Sequence, residues 1–337
     1  MSTTEILNKL INKQDLTEKE SGEFLIQLMD GVITPIQAGA ILTALRAKGE
    51  SVEEIVGLVK VMRKKMIAID ADESLDVCGT GGDGSNTFNV STTVAFVVAG
   101  CGVKVAKHGN RAASSLSGSA DVLKELGVKI DLTKEQAEEV LKKVGMVFLM
   151  APFFHPSMKQ VGVVRQELKI RTVFNFLGPF ANPAKAKKQL IGVPNLEIAQ
   201  KMAKAALQLG FKHLIIVTSE DGLDEVSINA KTHLFEIKGK TIKKKVIDPK
   251  RLDFKKVYHT QLTGGDAKIN ASIIHQVLNG QKGPKSDLVI INVAIALIVA
   301  GKAKTIKQGV KLARNSIESG AAKKVLENLV EETQKYA

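Results

Sequence analysis

The sequence predicts an α/β protein, with a small N-terminal helical domain and a larger α/β domain built on a mostly parallel central sheet. Three observations carry this. The chain has 337 residues, enough for a large core and for two domains. Its first 68 residues are punctuated by helix-start signals. From Ser74 onward, short apolar runs alternate with helical stretches, the pattern of parallel strands joined by helical crossovers.

The helical start reads as four short helices. Three begin with a capping box, in which a hydroxyl and a Glu or Gln satisfy each other's free backbone donors: Thr17 with Glu20, Thr34 with Gln37, and Ser51 with Glu54. Pro35 suits a first helical position and Gly49 a helix end. Next come the strand-like runs LDVC (75–78), VKVAKH (103–108), VFLM (147–150), LIGV (190–193) and LIIVTS (214–219). Residues 91–99, 120–126, 133–144 and 196–209 are helical in pattern. THLFEIKGKTIKKKVI (232–247) reads as an antiparallel hairpin, and the chain from about residue 267 as mainly helical. Residues 1–70 are therefore expected to form the helical domain and 71–337 the α/β domain, apart from a segment taken up below.

Net charge is +13, which suggests anionic partners. Much of the excess lies in 238–256. Lysines there suit a solvated sheet edge, where they discourage strand pairing. Nucleic acid binding is the competing reading, but the chain has no Trp and two Tyr, and no aromatics interleave the basic run to act as stacking platforms. No nucleic-acid partner is expected. The longest apolar run, 288–300, is shorter than the roughly 20 residues a bilayer span needs, so no membrane partner is expected either. The N-terminus lacks the pattern of a signal peptide. Cys78 and Cys101 are the two cysteines, with no CxxC and no framework of pairs, which fits a reduced cytoplasmic protein.

The stretch DVCGTGGDGSNTFNVST (76–92) contains G-x-G-x-x-G between a strand-like run and a helix. A dinucleotide site also needs an acidic residue at the end of the second strand to hold the ribose diol. That strand here ends in Lys107, His108 and Arg111, so the position is cationic. Asp83 would repel a pyrophosphate unless a sugar hydroxyl or a metal intervened. Asn89, Val90, Ser91 and Thr92 open a helix, and a helix N-terminus attracts anions. The local reading is a sugar phosphate with more than one anionic group: loop amides and hydroxyls hold one, Lys107 and Arg111 another, and Asp83 addresses hydroxyls. The run SSLSGS adds the hydroxyls of Ser114, Ser115 and Ser119, the last as a helix cap. Ligands bind at such strand ends in open α/β sheets.

Asp224 and Glu225, in a turn after LIIVTS, can both reach magnesium, which takes one or two carboxylates plus substrate phosphates. Arg165 alone is a helical arginine, and His108 and His155 alone are structural. No HxxH, HExxH or Cys/His cluster suggests zinc, and no GxSxG suggests a hydrolase.

GTGGD (79–83), NVST (89–92), KHGNRAASS (107–115), GSAD (118–121), FNFLGPFANP (174–183) and GLDE (222–225) come in an order and spacing that resemble the anthranilate phosphoribosyltransferase family. The likeness extends to the helical start and to NVAIALIVAGKA (292–303). It implies the fold of the pyrimidine nucleoside phosphorylases and a homodimer packed through the helical domain. It also implies that a segment around 165–185 joins the helical domain, leaving 71–164 and 186–337 as the α/β domain. The implied reaction converts phosphoribosyl diphosphate (PRPP) and anthranilate into phosphoribosylanthranilate and diphosphate, in tryptophan biosynthesis, with Mg2+. The resemblance points to Gly79, Gly82, Asp83, Thr87, Asn89, Ser91, Thr92, Lys107 and Ser119 as PRPP contacts. Val90, Arg111, Ser114 and Ser115 complete that candidate set from the same loops. It points to Ser91, Asp224 and Glu225 for magnesium. Gly79, Asn110 and Arg165 are implied anthranilate contacts, with His108 and Pro179 lining its path. The sequence departs from the family pattern at Lys169, where Gly is usual, and at Phe180.

The expected chemistry is a displacement at the ribose C1. Charge develops on the departing diphosphate, where preorganised amides and a metal act. Anthranilate's amine is neutral at pH 7, so orientation matters more than a strong base. His108 and the diphosphate are candidate proton acceptors. Two rivals are a nucleoside phosphorylase of the same fold, disfavoured by GTGGD with GLDE, and a non-catalytic nucleic-acid binder, disfavoured by the intact motifs.

Overall fold

In the computed structural model, the residues described are 1–112, 116–252 and 254–337; Ser114 and Ser115 lie outside them. The expected N-terminal helices form as α1 (Thr3–Ile11), α2 (Glu18–Met29), α3 (Pro35–Lys48) and α4 (Val52–Lys65). All three anticipated capping boxes are made, and a fourth, Ser2 with Glu5, opens α1. Gly49 ends α3 at φ 85°, a conformation that strains other residues. Glu54 does more than cap. Fully buried, it accepts the Ser51 N–H at 2.7 Å and the Leu16 N–H at 2.9 Å and pairs with Lys48 at 3.1 Å.

The α/β part begins with β1 (Leu75–Gly79), α5 (Val90–Gly100), β2 (Val105–Gly109), α6 (Ser119–Glu125), α7 (Lys134–Val144) and β3 (Met146–Met150). The chain then leaves the sheet through three short elements, α8 (Ala151–Phe154), α9 (Lys159–Leu168) and α10 (Phe174–Leu177). It returns as β4 (Lys188–Gly192), α11 (Leu196–Gln208) and β5 (His213–Ser219), followed by the hairpin β6 (Thr232–Lys238) and β7 (Thr241–Ile247). Four helices close the chain: α12 (Ala267–Leu278), α13 (Pro284–Ala300), α14 (Ile306–Glu318) and α15 (Ala321–Gln334).

One seven-stranded sheet results, in the order β3-β2-β1-β4-β5-β6-β7. Its first five strands are parallel, and the hairpin adds two antiparallel ones. Strand order reverses between β1 and β4, whose ends pair Gly79 with Gly192. A crevice outside the carboxyl ends at such a switch point is where ligands bind. The lysine-rich run falls on β7, an edge strand on which Lys243, Lys244 and Lys245 are exposed, as the edge-protection reading expects.

The apolar run 288–300 is the buried helix α13, and among the described residues no helix is long and apolar enough to cross a membrane. The excursion between β3 and β4 packs on the bundle. Val161, Val164, Phe174 and Leu177 share a core with Ile41, Leu42 and Phe24, and this core continues through α11 to one face of the sheet. Arg63 of α4 fastens the junction by donating to the Phe180 and Leu209 carbonyls, each at 2.7 Å.

Candidate active site

The glycine loop leaves β1 at the switch point. Gly81 and Gly82 take φ 68° and 70°, which only glycine adopts without strain. Two backbone contacts hold the loop to the neighbouring strand and turn: the Thr80 N–H donates to the Gly192 carbonyl at 2.9 Å, and the Gly81 N–H donates to Asp224 Oδ2 at 2.7 Å. A Cβ at Gly79 would overlap the Asp224 carboxylate, and one at Gly192 would overlap the Asp224 carbonyl. Those glycines let the acidic turn close under the loop. Asp83 accepts from the Ser85 N–H at 3.0 Å and hydroxyl at 2.6 Å. Thr87 bridges to Thr263.

The turn after β5 is held as firmly through its backbone. Ser219 Oγ donates to the Glu225 carbonyl at 2.6 Å. The Asn292 side chain takes both polar groups of Val226, accepting its N–H at 2.9 Å and donating to its carbonyl at 3.0 Å. Sequence reasoning missed Asn292. Its signal was available, as the one polar side chain in the run 288–300.

Asp224 and Glu225 are each 8% exposed, so this acidic turn is buried and not a solvated surface loop. Burial, reinforced by nearby Asp83, pushes the Asp224 carboxyl up to about 7. Burial and Asp224 raise Glu225 well above the usual carboxylate range. Lys107, on β2, is 2% exposed; its Nζ donates to the Val77 carbonyl at 2.6 Å and to Ser91 Oγ at 3.2 Å. Burial lowers its pKa, and Asp76 opposes that. Among the described residues, no three His, Cys, Asp or Glu side chains surround one metal position. The pair still fits magnesium, which takes one or two carboxylates and fills its remaining positions with water and phosphate oxygens. Two buried carboxylates whose ionisation is suppressed form a charge pattern that a dication relieves.

α5 starts at Val90 with no side-chain cap; the Val90 N–H donates to the Phe88 carbonyl at 2.6 Å, and the helix N-terminus attracts anions. The Asn89 side chain is committed elsewhere: its amide donates to the Ser117 carbonyl at 3.1 Å and its Oδ1 accepts from Asn270 at 2.9 Å. Thr92 Oγ1 and Thr80 Oγ1 are buried without partners. The next loop corrects the sequence reading. Ser119 does not cap α6, because Gly118 occupies the cap and Asp121 accepts the N–H groups of Gly118 and Ala112, each at 3.0 Å. Ser119 Oγ donates instead to the Asn110 carbonyl at 3.2 Å. Arg111 is exposed and lies 3.4 Å from Asp121.

His108 is buried beside His155, with ring centroids 5.2 Å apart. Its Nδ1 faces the Gly178 carbonyl at 3.3 Å, which assigns the proton to Nδ1, and its Nε2 has no partner. Burial drops its pKa to about 3. It is therefore a neutral imidazole and a weak base, which counts against it as the proton acceptor. Pro179 is buried, its carbonyl taken by Gln189 Nε2 at 2.9 Å. Arg165 is half-buried on α9, 6.0 Å above the Phe174 ring. It has no hydrogen-bonded or ionic partner among the described residues, and burial lowers its pKa.

The chain matches the glycosyl transferase family a/b domain over residues 71–323 and that family's helical bundle domain over 4–66. It is 47% identical over 336 residues to an anthranilate phosphoribosyltransferase of Dehalococcoides mccartyi, covering 99% of this chain and 98% of that one. A relative of the same description from Pelotomaculum thermopropionicum is 45% identical over 97% of this chain and 95% of its own length. Among solved structures, the anthranilate phosphoribosyltransferase of Thermus thermophilus superimposes with a TM-score of 0.90 at 37% identity, covering 98% of this chain and 99% of that one. The Saccharomyces cerevisiae enzyme in complex with PRPP and Mg also superimposes with a TM-score of 0.90, at 30% identity, covering 99% and 98%.

Proposed function

The chain belongs to the anthranilate phosphoribosyltransferase family and transfers the phosphoribosyl group of PRPP to the amine of anthranilate in tryptophan biosynthesis, releasing diphosphate; we propose the following residues and metal for that transfer. Gly79, Gly82, Asp83 and Thr87 of the glycine loop and the first turn of α5 (Asn89, Val90, Ser91, Thr92) cradle the phosphates. Lys107 supplies fixed positive charge beneath them. Arg111, Ser114, Ser115 and Ser119 complete the phosphoribosyl contacts, and Asp83 addresses ribose hydroxyls. Asp224, Glu225 and Ser91 hold Mg2+, which when bound neutralises charge on the departing diphosphate.

At the other substrate, Arg165 clamps the anthranilate carboxylate, with Gly79, His108, Asn110 and Pro179 along its path. The ribose C1–O bond breaks as the amine nitrogen bonds to C1. The nitrogen then gives up a proton. With His108 so weak a base, the diphosphate oxygens are the better acceptor.

The observation that carries this reading is the Asp224 carboxylate. It is buried, hydrogen-bonded to the amide of Gly81, and pushed up to about 7 by burial and by nearby Asp83. The test follows anthranilate fluorescence with PRPP and magnesium. The double variant Asp224→Asn, Glu225→Gln is expected to lose about three orders of magnitude in kcat, since metal stabilisation is worth several kcal/mol, and to flatten the magnesium titration. Wild-type turnover with an unchanged titration would remove the metal assignment.

The helical domain is proposed as a homodimer interface. Ile36, Val32 and Ile11 there are 87%, 71% and 63% exposed, apolar side chains that such an interface would cover. Sedimentation at micromolar concentration tests it, and a monomer would reject it. A cytoplasmic location is proposed from the two unpaired cysteines, Cys78 and Cys101, and cell fractionation checks it.

A further inference from the structure

Between α9 and α10 the chain makes a contact that ties the two halves of the site together. Lys169 ends α9 in the left-handed region at φ 51°, a conformation that costs a non-glycine residue some strain. After that turn Arg171 reaches the glycine loop. Its Nη1 donates to the Gly82 carbonyl at 2.6 Å and its Nη2 to the Gly81 carbonyl at 3.1 Å. The fit is close, because a Cβ at Gly82 would overlap the guanidinium. Gly81 is thus held from two sides, its carbonyl by Arg171 and its N–H by Asp224. A cation from the bundle side and a carboxylate from the sheet side fix the orientation of the peptide planes between them.

We propose that Arg171 is a positioning residue for the phosphoribosyl half of the site. It draws the loop carbonyls toward itself, which leaves loop amides for phosphate oxygens. The proposal rests on the glycine loop being the PRPP site. Arg171 already spends two of its five N–H donors on the loop carbonyls, which favours it as a tie to the loop over a second carboxylate clamp. Arg165, with none engaged, is left for anthranilate.

Steady-state kinetics with both substrates varied, together with thermal melts, tests this on Arg171→Met, Arg171→Lys, Lys169→Gly and Lys107→Met. Arg171→Met is expected to raise the Michaelis constant for PRPP about tenfold, the worth of a charge-assisted hydrogen bond near the surface. The constant for anthranilate should hold within about twofold, because uniform binding of that substrate is untouched. Arg171→Lys should fall between, with a point charge in place of the fork. Lys169→Gly should keep both constants and melt slightly higher, relieved of strain. A rise confined to anthranilate would make Arg171 a carboxylate contact and overturn the proposal. Equal rises for both substrates with a lower melting temperature would make it merely structural. If Lys107→Met weakens PRPP while Arg171→Met does not, the positioning role fails alone; if neither does, the loop is not the PRPP site.

Discussion

The helical bundle and the carboxyl ends of the strands treat buried polar groups in opposite ways. In the bundle, the buried carboxylate of Glu54 has a cation and two N–H donors, and among described residues 1–70 Glu50 Oε1 is the one buried side-chain polar atom without a partner. Along β1, β2 and the start of α5, Asp76, Thr80, Thr92 and His108 each keep such an atom, and Asp224 and Glu225 resist ionisation. Burying a polar group without a partner costs free energy. A fold that satisfies most such groups in one region and leaves a cluster of them open in another has spent stability where a ligand will supply the partners.

That contrast can be broken from the bundle side first. Ile6 is fully buried in α1. Ile6→Ala should cost about 4 kcal/mol of stability by loss of packing and an incompletely closed cavity. Both Michaelis constants should hold in the folded enzyme. Denaturant melts and kinetics on one sample check this, and a selective change in either constant would show that the bundle shapes the chemistry directly.

From the site side, Asp76 sharpens it. Its Oδ1 accepts the His108 N–H at 3.3 Å, its Oδ2 has no partner, and burial lifts its pKa from 3.8 to about 6. A raised carboxyl is protonated in both states below the unfolded value, so its favourable contribution is intact there. It is lost as pH rises through the folded value. Relative to Asp76→Asn, the wild type should therefore lose roughly 3 kcal/mol between about pH 3 and 7. His108, lowered by burial, has the opposite dependence, but it is present in both proteins and drops out of the difference. Urea midpoints across that range provide the measurement, and a constant gap would refute it.

The smallest effect is expected at Arg165. Its half-buried setting puts the loss on Arg165→Ala near the low end for a charge pair, about 2 kcal/mol or roughly 30-fold in the Michaelis constant for anthranilate. The constant for PRPP should move little. Equal weakening of both substrates would return Arg165 to a structural role.

How legible all this was follows the range of the interactions. The bundle helices could be read because a capping box pairs residues three apart, and the strands because apolar runs bounded by turns are local. The glycine loop, Lys107 and Asp224 were found because their residue types were wrong for a dinucleotide site or clustered in motifs. What escaped depends on distant partners. Arg171 meets Gly82 across 89 residues, and Asn292 meets Val226 across 66; neither leaves a periodic trace. Ser119 was misread because a Ser before a helix resembles a cap, while Asp121 reached back to do the work. The elements α8 and α10 have four residues each, too few to establish a helical period.

The excursion between β3 and β4 has a consequence for how the protein is made. A ribosome finishes α4 at Lys65 and reaches α9 only at Lys159, a delay of about 5–20 s at about 5–20 residues per second. During that interval the emerging bundle lacks the helix that covers α2 and α3, and the first strands lack β4, the central partner of β1. Neither part can reach its final packing before the chain has crossed between them twice, so a gene cut at the apparent border would yield two fragments that each wait for the other.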